Sequence, residues 1–207
     1  MEFRLIYRGQ LPAQKSGGGH GKRLQEKHAI RKVIHKQLAV LWKENPVLSQ
    51  WMAKSIHDQT AEGNLVSSVA NHWAARYAKY GYNWLPLVNE QMGIACSLDI
   101  LFLRRDAPGK IIASGGGDID NRIKVLFDAL RMPKYADEVE GYAREQNEDE
   151  FFFCLLEDDS LINEVKITTD RLLTPLESGE AINDVVLVIH VKTIVVNSQK
   201  AYIEFYT

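Results

Sequence analysis

Asp118, Asp120, Lys124 and the pair Asp158-Asp159 are the residues whose types and spacing can do chemistry. Asp118 and Asp120 stand two residues apart, and Lys124 follows Asp120 at the spacing of one helical turn. Carboxylates gathered in one place repel one another unless a cation neutralises them. Their hard oxygens suit Mg²⁺, or Mn²⁺ in its place, rather than zinc. A carboxylate-held Mg²⁺ activates water and stabilises the charge that builds up in phosphoryl transfer. A lysine one turn away can orient the nucleophile or neutralise that charge. The same residues also have plainer uses. Asp118 suits a helix N-cap, Asp120 a first-turn acid favoured by the helix dipole, and Asp158-Asp159 a solvated turn.

Other metal patterns fit less well. An EF-hand loop needs an acid or Asn at its fifth position, where this chain has Arg122. A D-x-D pair also occurs in sugar-nucleotide transferases, but a helical setting and Lys124 do not call for that chemistry.

These residues need elements to hold them. Gly115-Gly116-Gly117 leads into a helix whose apolar stripe is Ile119, Ile123, Leu126 and Leu130. Asp120, Lys124 and Asp128 form a charged stripe beside it. Leu161, Asn163, Val165 and Ile167 alternate with polar residues and predict a strand just after Asp158-Asp159. Further strands are expected at Phe3–Tyr7, Ile94–Phe102 and Val185–Val196, the last an interior one, and Tyr202–Tyr206 suits a short final strand. A long helix is expected over Lys22–Asn45, closed before Pro46, with Ile30, Val33, Ile34, Leu38, Leu41 and Trp42 as its apolar stripe. Two short helices are expected between residues 47 and 80, the first through Trp51, Met52 and Ile56, the second from Leu65 and Val66 to Tyr77. The order β-α-(α)-β-α-β-β predicts an α+β (mixed α/β) fold, a small mixed β-sheet packed with helices.

The 207 residues suit one domain, and a 45% apolar, 25% charged composition is that of an ordinary soluble protein. Cys96 and Cys154 lie among apolar residues and read as buried thiols in a reducing compartment. His72 reads as a packing or surface histidine. With no membrane-length apolar run and no signal-peptide core, a cytoplasmic protein is expected.

The net charge of −2 conceals two opposed segments. Residues 1–43 carry ten Lys and Arg against Glu2 and Glu26, while residues 137–150 carry seven acids against Arg144. The basic segment predicts an anionic partner on one face. Lys15, Lys22, Arg23, Lys27 and Arg31 are the candidate phosphate contacts, on a Gly-rich loop and along the helix face away from the apolar stripe. That loop is not a Walker phosphate loop, because Ser16 stands where Gly is needed and Arg23 where Ser or Thr is needed. The acidic stretch 132–150 reads as an exposed excursion.

The pattern Asp118-Ile119-Asp120-Asn121-x-x-Lys124-x-x-x-Asp128-Ala129-Leu130, followed by Glu157-Asp158-Asp159-x-x-Ile162, resembles the signature of the RusA-type Holliday junction resolvases. The matching blocks, 118–130 and 156–166, cover 24 residues. The resemblance implies a RusA-like fold and a Mg²⁺-dependent homodimeric endonuclease of DNA recombination and repair. Such an enzyme nicks four-way DNA in a symmetric pair. It implies Asp118, Asp120 and Asp159 as metal-binding carboxylates and Lys124 as the catalytic lysine; Asp158 is adjacent but is not the motif position. Leu11-Pro12-Ala13-Gln14 replaces the family's Pro-Pro-Ser-Asn-like loop, and residues 47–90 and 132–156 read as insertions in a single domain spanning 1–207. Two other readings compete. One is a non-catalytic nucleic-acid-binding protein on the same fold. The other is a nuclease for different branched substrates, such as flap DNA or branched RNA.

Overall fold

The computed structural model describes residues 1–11, 20–53, 55–57, 66–105, 119–139, 150–181 and 184–197. The expected final strand Tyr202–Tyr206 lies outside them. The chain is α+β. Its elements in order are β1 (Glu2–Gln10), α1 (His20–Glu44), α2 (Pro46–Ala53), β2 (Ser55–His57), β3 (Val66–Ser68) and α3 (Val69–Arg76). They continue as β4 (Ala78–Lys79), β5 (Tyr82–Val88), β6 (Ile94–Arg104), α4 (Ile119–Leu130), β7 (Phe152–Leu156), β8 (Ile162–Arg171) and β9 (Asp184–Val195).

The principal sheet has the order β1-β9-β6-β8. β9 runs antiparallel to both β1 and β6, and β8 lies parallel to β6. Period-two alternation sorts its two faces. Leu5, Cys96, Leu98, Ile100, Phe102, Leu187, Ile189 and Val191 are buried on one face. Glu2, Asp99, Lys166, His190 and Lys192 form ion pairs on the other. β8 sits at the sheet edge and is exposed along most of its length.

Two expectations about the sheets are corrected. The first is a single small sheet, where a second, three-stranded sheet has the order β4-β5-β7, with β5 and β7 parallel. β5 and β7 are almost fully buried, so they lack the alternation that marks a half-exposed strand. Pro86 further disguises β5; β4 pairs only with Tyr82 and Asn83, so Pro86 needs no donor on that side. The second concerns Ile56 and Val66, expected in helices, which form the hairpin β2–β3 instead. Helix α2 ends at Ala53, and α3 begins only after Ser68, whose hydroxyl accepts from Asn71 N–H at 3.0 Å as an N-cap. The turn between β4 and β5 holds Tyr80 at φ 54° and Gly81 at φ 81°, the two left-handed residues of a tight hairpin turn.

Helix α1 contacts β1 of the first sheet and β7 of the second. That position explains why it buries more than one stripe. Ile30, Ile34, Leu38 and Trp42 are buried as expected, but so are His28, Arg31 and His35. His28 lies among Tyr82, Trp84 and Phe152, and burial pushes its imidazole down to about 3, so it is neutral at physiological pH. The Gln37 amide of α1 closes the outer edge of β1. It accepts from Ile6 N–H at 2.8 Å and donates to Ile6 C=O at 2.7 Å, so β1 offers less edge for another strand. Gln37→Leu is expected to lower stability by about 1 kcal/mol, the net value of hydrogen bonds near the surface. A urea titration checks this, and an unchanged midpoint would remove the edge-closing role.

Cys96 and Cys154 are free and buried, as expected, and burial pushes both thiols up, Cys96 to about 12. His72 lies on the exposed side of α3. Among the described residues no helix is long and apolar enough to cross a membrane.

Candidate functional site

Helix α4 is the scaffold of the candidate site. Ile123, Val125, Leu126, Ala129 and Leu130 are buried on its core side. It packs against α1 on one side and against a 3-10 turn, Asp159–Leu161, on another. Asp120 lies in its first turn, where a carboxylate meets the positive end of the helix dipole.

The four acids of this region have different surroundings. The Asp120 side chain is 61% exposed, and its partner is Lys124, itself 60% exposed, at 3.4 Å. Asp159 faces the Lys134 ammonium at 3.6 Å, and Asp158 faces it at 2.9 Å. Asp128 is held between Lys27 at 2.5 Å and Arg131 at 2.6 Å, with Lys27 only 14% exposed. Burial opposes ionisation of Asp128, but the Lys27 and Arg131 bonds outweigh it and hold the carboxyl below its ordinary value. Asp128 is therefore consumed by the fold, while Asp120 and Asp159 keep oxygens open to solvent. Asp158 caps the 3-10 turn by accepting from Ser160 N–H at 3.1 Å. The Lys134 bond, aided by this turn, holds the Asp158 carboxyl well below the usual range.

The C-terminal end of α4 has an unexpected partner. Arg31, expected on a phosphate-facing surface, is fully buried. Its Nη2 donates to Asp128 C=O at 2.6 Å and its Nε to Arg131 C=O at 3.0 Å. Those carbonyls belong to the set that a helix C-terminus leaves without intrahelical partners, so Arg31 caps α4 from α1. Glu138 balances the charge, accepting from Arg31 Nη2 at 2.5 Å and lying 3.7 Å from Arg131 Nη1. Arg31 as a DNA contact is thus corrected: its side chain is buried, and its Nε and Nη2 donate inside the protein. Lys27 is corrected for the same reason, being committed to Asp128. The acidic stretch is corrected in part too, because Glu138, with Met132 and Pro133, is buried rather than exposed.

Asp118 and Lys15 lie outside the described residues. Lys22 and Arg23 belong to α1, but their side chains fall outside the described set. The structure brings Asp158 and Asp159 together with Lys134, and pairs Asp120 with Lys124. Among the described residues, no three His, Cys, Asp or Glu side chains form a metal-holding group, so Asp120 does not join Asp158 and Asp159 in one. The donor chemistry remains that of a hard divalent ion: every candidate ligand is a carboxylate, and Asp120 and Asp159 are accessible and only loosely paired. Lys134, Arg131 and Glu138 were not among the expected site residues. Lys134 alone carried a signal, as a lysine just beyond the end of the motif helix. No known protein family, curated protein or solved structure matches this chain.

Proposed function

We propose that this chain is a metal-dependent endonuclease that hydrolyses DNA phosphodiesters at four-way junctions, acting in recombination and repair as the RusA-like pattern implies. The observation that carries this reading is the unequal treatment of the acids around α4. Asp128 is locked by two cations, while Asp120 and Asp159 sit on firmly anchored elements with their oxygens reachable from solvent. Rigid placement of exposed, like-charged groups lowers stability and suits ligand binding.

By the RusA-like pattern, Asp118, Asp120 and Asp159 would hold Mg²⁺, or Mn²⁺ in its place, the cation drawing Asp120 and Asp159 together, since among the described residues they form no ready-made metal-holding group. The ion supplies Lewis acidity and a more acidic water. Lys124 pairs with Asp120 at 3.4 Å and offers an exposed ammonium to a phosphate oxygen or a nucleophile. A homodimer would present two such sites to a two-fold junction. The nuclease reading and the non-catalytic DNA-binding reading both drew phosphate contacts from the basic face of α1, and both lose Lys27 and Arg31, which are turned towards α4.

The direct test is purified protein with Mg²⁺ and a synthetic four-way junction, run beside linear duplex, flap DNA and branched RNA. Paired nicks across the junction are expected, with little cutting of duplex. Cutting of flap DNA or branched RNA in preference would transfer the reading to another branched substrate. Metal-independent binding with no cleavage of any substrate would overturn it.

A further inference from the structure

Lys134 is the residue in which the two segments that the RusA-like pattern reads as insertions meet. Its backbone is fixed on two sides. Its N–H donates to the buried Glu138 Oε1 at 2.8 Å, and its C=O accepts from Tyr80 Oη at 2.8 Å. Tyr80 stands at the tip of the β4–β5 turn, in the first insertion, and Glu138 belongs to the second. The strand-like contact of Arg131 with Leu156, together with the 2.9 Å hydrogen bond from Met132 N–H to Leu156 C=O, lays residues 131–134 beside the end of β7. The Lys134 ammonium then reaches Asp158 at 2.9 Å and Asp159 at 3.6 Å.

We propose that Lys134 is a built-in counter-cation that competes with the divalent metal for Asp159. This rests on the metal-dependent reading above. An ammonium held within ion-pair distance of a carboxylate neutralises it without any metal. A divalent ion coordinated by the same carboxylate would lie a few ångströms from that ammonium and be repelled by it. Metal binding therefore requires the half-exposed Lys134 side chain to swing away while its pinned backbone stays in place. The consequence is a site held ready but weakened for metal, in which Lys134 tunes the ion concentration the protein needs.

The test is Mn²⁺ binding to the full chain without DNA, followed by calorimetry and by the electron paramagnetic resonance signal of free Mn²⁺. Lys134→Met keeps the length and removes the charge; it should bind Mn²⁺ about tenfold more tightly than the wild type, as expected for removing a like charge beside the ion. Lys134→Arg keeps the charge and should stay within about twofold of wild type. Asp120→Asn is measured alongside. Asp120-dependent binding that Lys134→Met leaves unchanged or weakens would overturn the counter-cation role alone. Failure of every protein to bind Mn²⁺ would overturn it together with the metal-dependent reading. Far-ultraviolet circular dichroism of each variant confirms that the comparison is between folded chains.

Discussion

Asp120→Asn is expected to reduce Mg²⁺-dependent cleavage of a four-way junction about a thousandfold, on the scale of losing a charge-stabilising group from a catalytic centre. It should do so with almost no change in stability. The Asp120 side chain is 61% exposed, and among the described residues its ion pair is the 3.4 Å contact with exposed Lys124. Such a surface pair one turn apart contributes roughly 0.3–0.5 kcal/mol, and the interaction with the helix dipole a similar amount. Asp128→Asn, two turns further along the same helix, should do the reverse. It breaks the contacts with Lys27 and Arg131, both largely buried, and should cost about 2–3 kcal/mol while acting on cleavage only through loss of folded protein. The two acids share one sequence stripe, so the contrast separates a functional carboxylate from a structural one. The check is single-turnover cleavage beside a urea unfolding curve for each variant. Undiminished cleavage by Asp120→Asn would end the catalytic assignment.

What the sequence made legible follows from the physics of local patterns. α4, β1 and β6 were readable because each buries one face, and burial of one face writes a period of 3.6 or 2 into the chain, while β9 was readable from its long run of apolar, β-branched residues. β5 and β7 were not readable, because burial on both faces erases the period. Arg23, Lys27 and Arg31 fall at helical spacing and read as a basic surface. No local pattern reveals that Arg31 meets carbonyls 97 and 100 residues away. Glu138 was hidden in the same way, inside an acidic run that suggests solvent, while its partner sits 107 residues upstream. The candidate acids themselves were visible because two carboxylates and a lysine on one helix form a local pattern. Their relation to Asp159 is a tertiary property, and so is the presence of Lys134 between helix and acid pair.

The buried charge cluster gives the largest expected effect on stability. Glu138 is nearly inaccessible, and it is the acid shared by Arg31 and Arg131, both buried. Glu138→Gln keeps the shape but leaves two guanidinium groups with one fewer compensating charge in a region of low dielectric. Breaking a buried pair from one side typically costs about 3–5 kcal/mol, and that loss is expected here. Replacing Glu138 and Arg31 together by Met should recover part of it, because the double change removes the charge that the single change strands, although the cap on the end of α4 is then lost. Acid should act on the wild type in the same direction. Burial works against the ionised form of Glu138, but Arg31 beside it prevails and holds the carboxyl below its ordinary value of 4.5. A carboxyl depressed in the folded state contributes stability that is complete above the unfolded value and is lost as pH falls through the folded one. Asp128 is depressed below its ordinary 3.8 and adds to the same slope. Wild-type stability should therefore begin to fall as the pH drops below about 6.5, where unfolded His28 takes up a proton that the buried imidazole refuses, and fall more steeply below about 4.5, where Glu138 and Asp128 add to the loss. Glu138→Gln should start lower and decline less steeply, since one of the responsible carboxyls is gone. Unfolding curves in urea across that acid range decide the matter: a variant as stable as the wild type, or one with the same acid slope, would mean that the Arg31–Glu138 pair does not hold α4 in place.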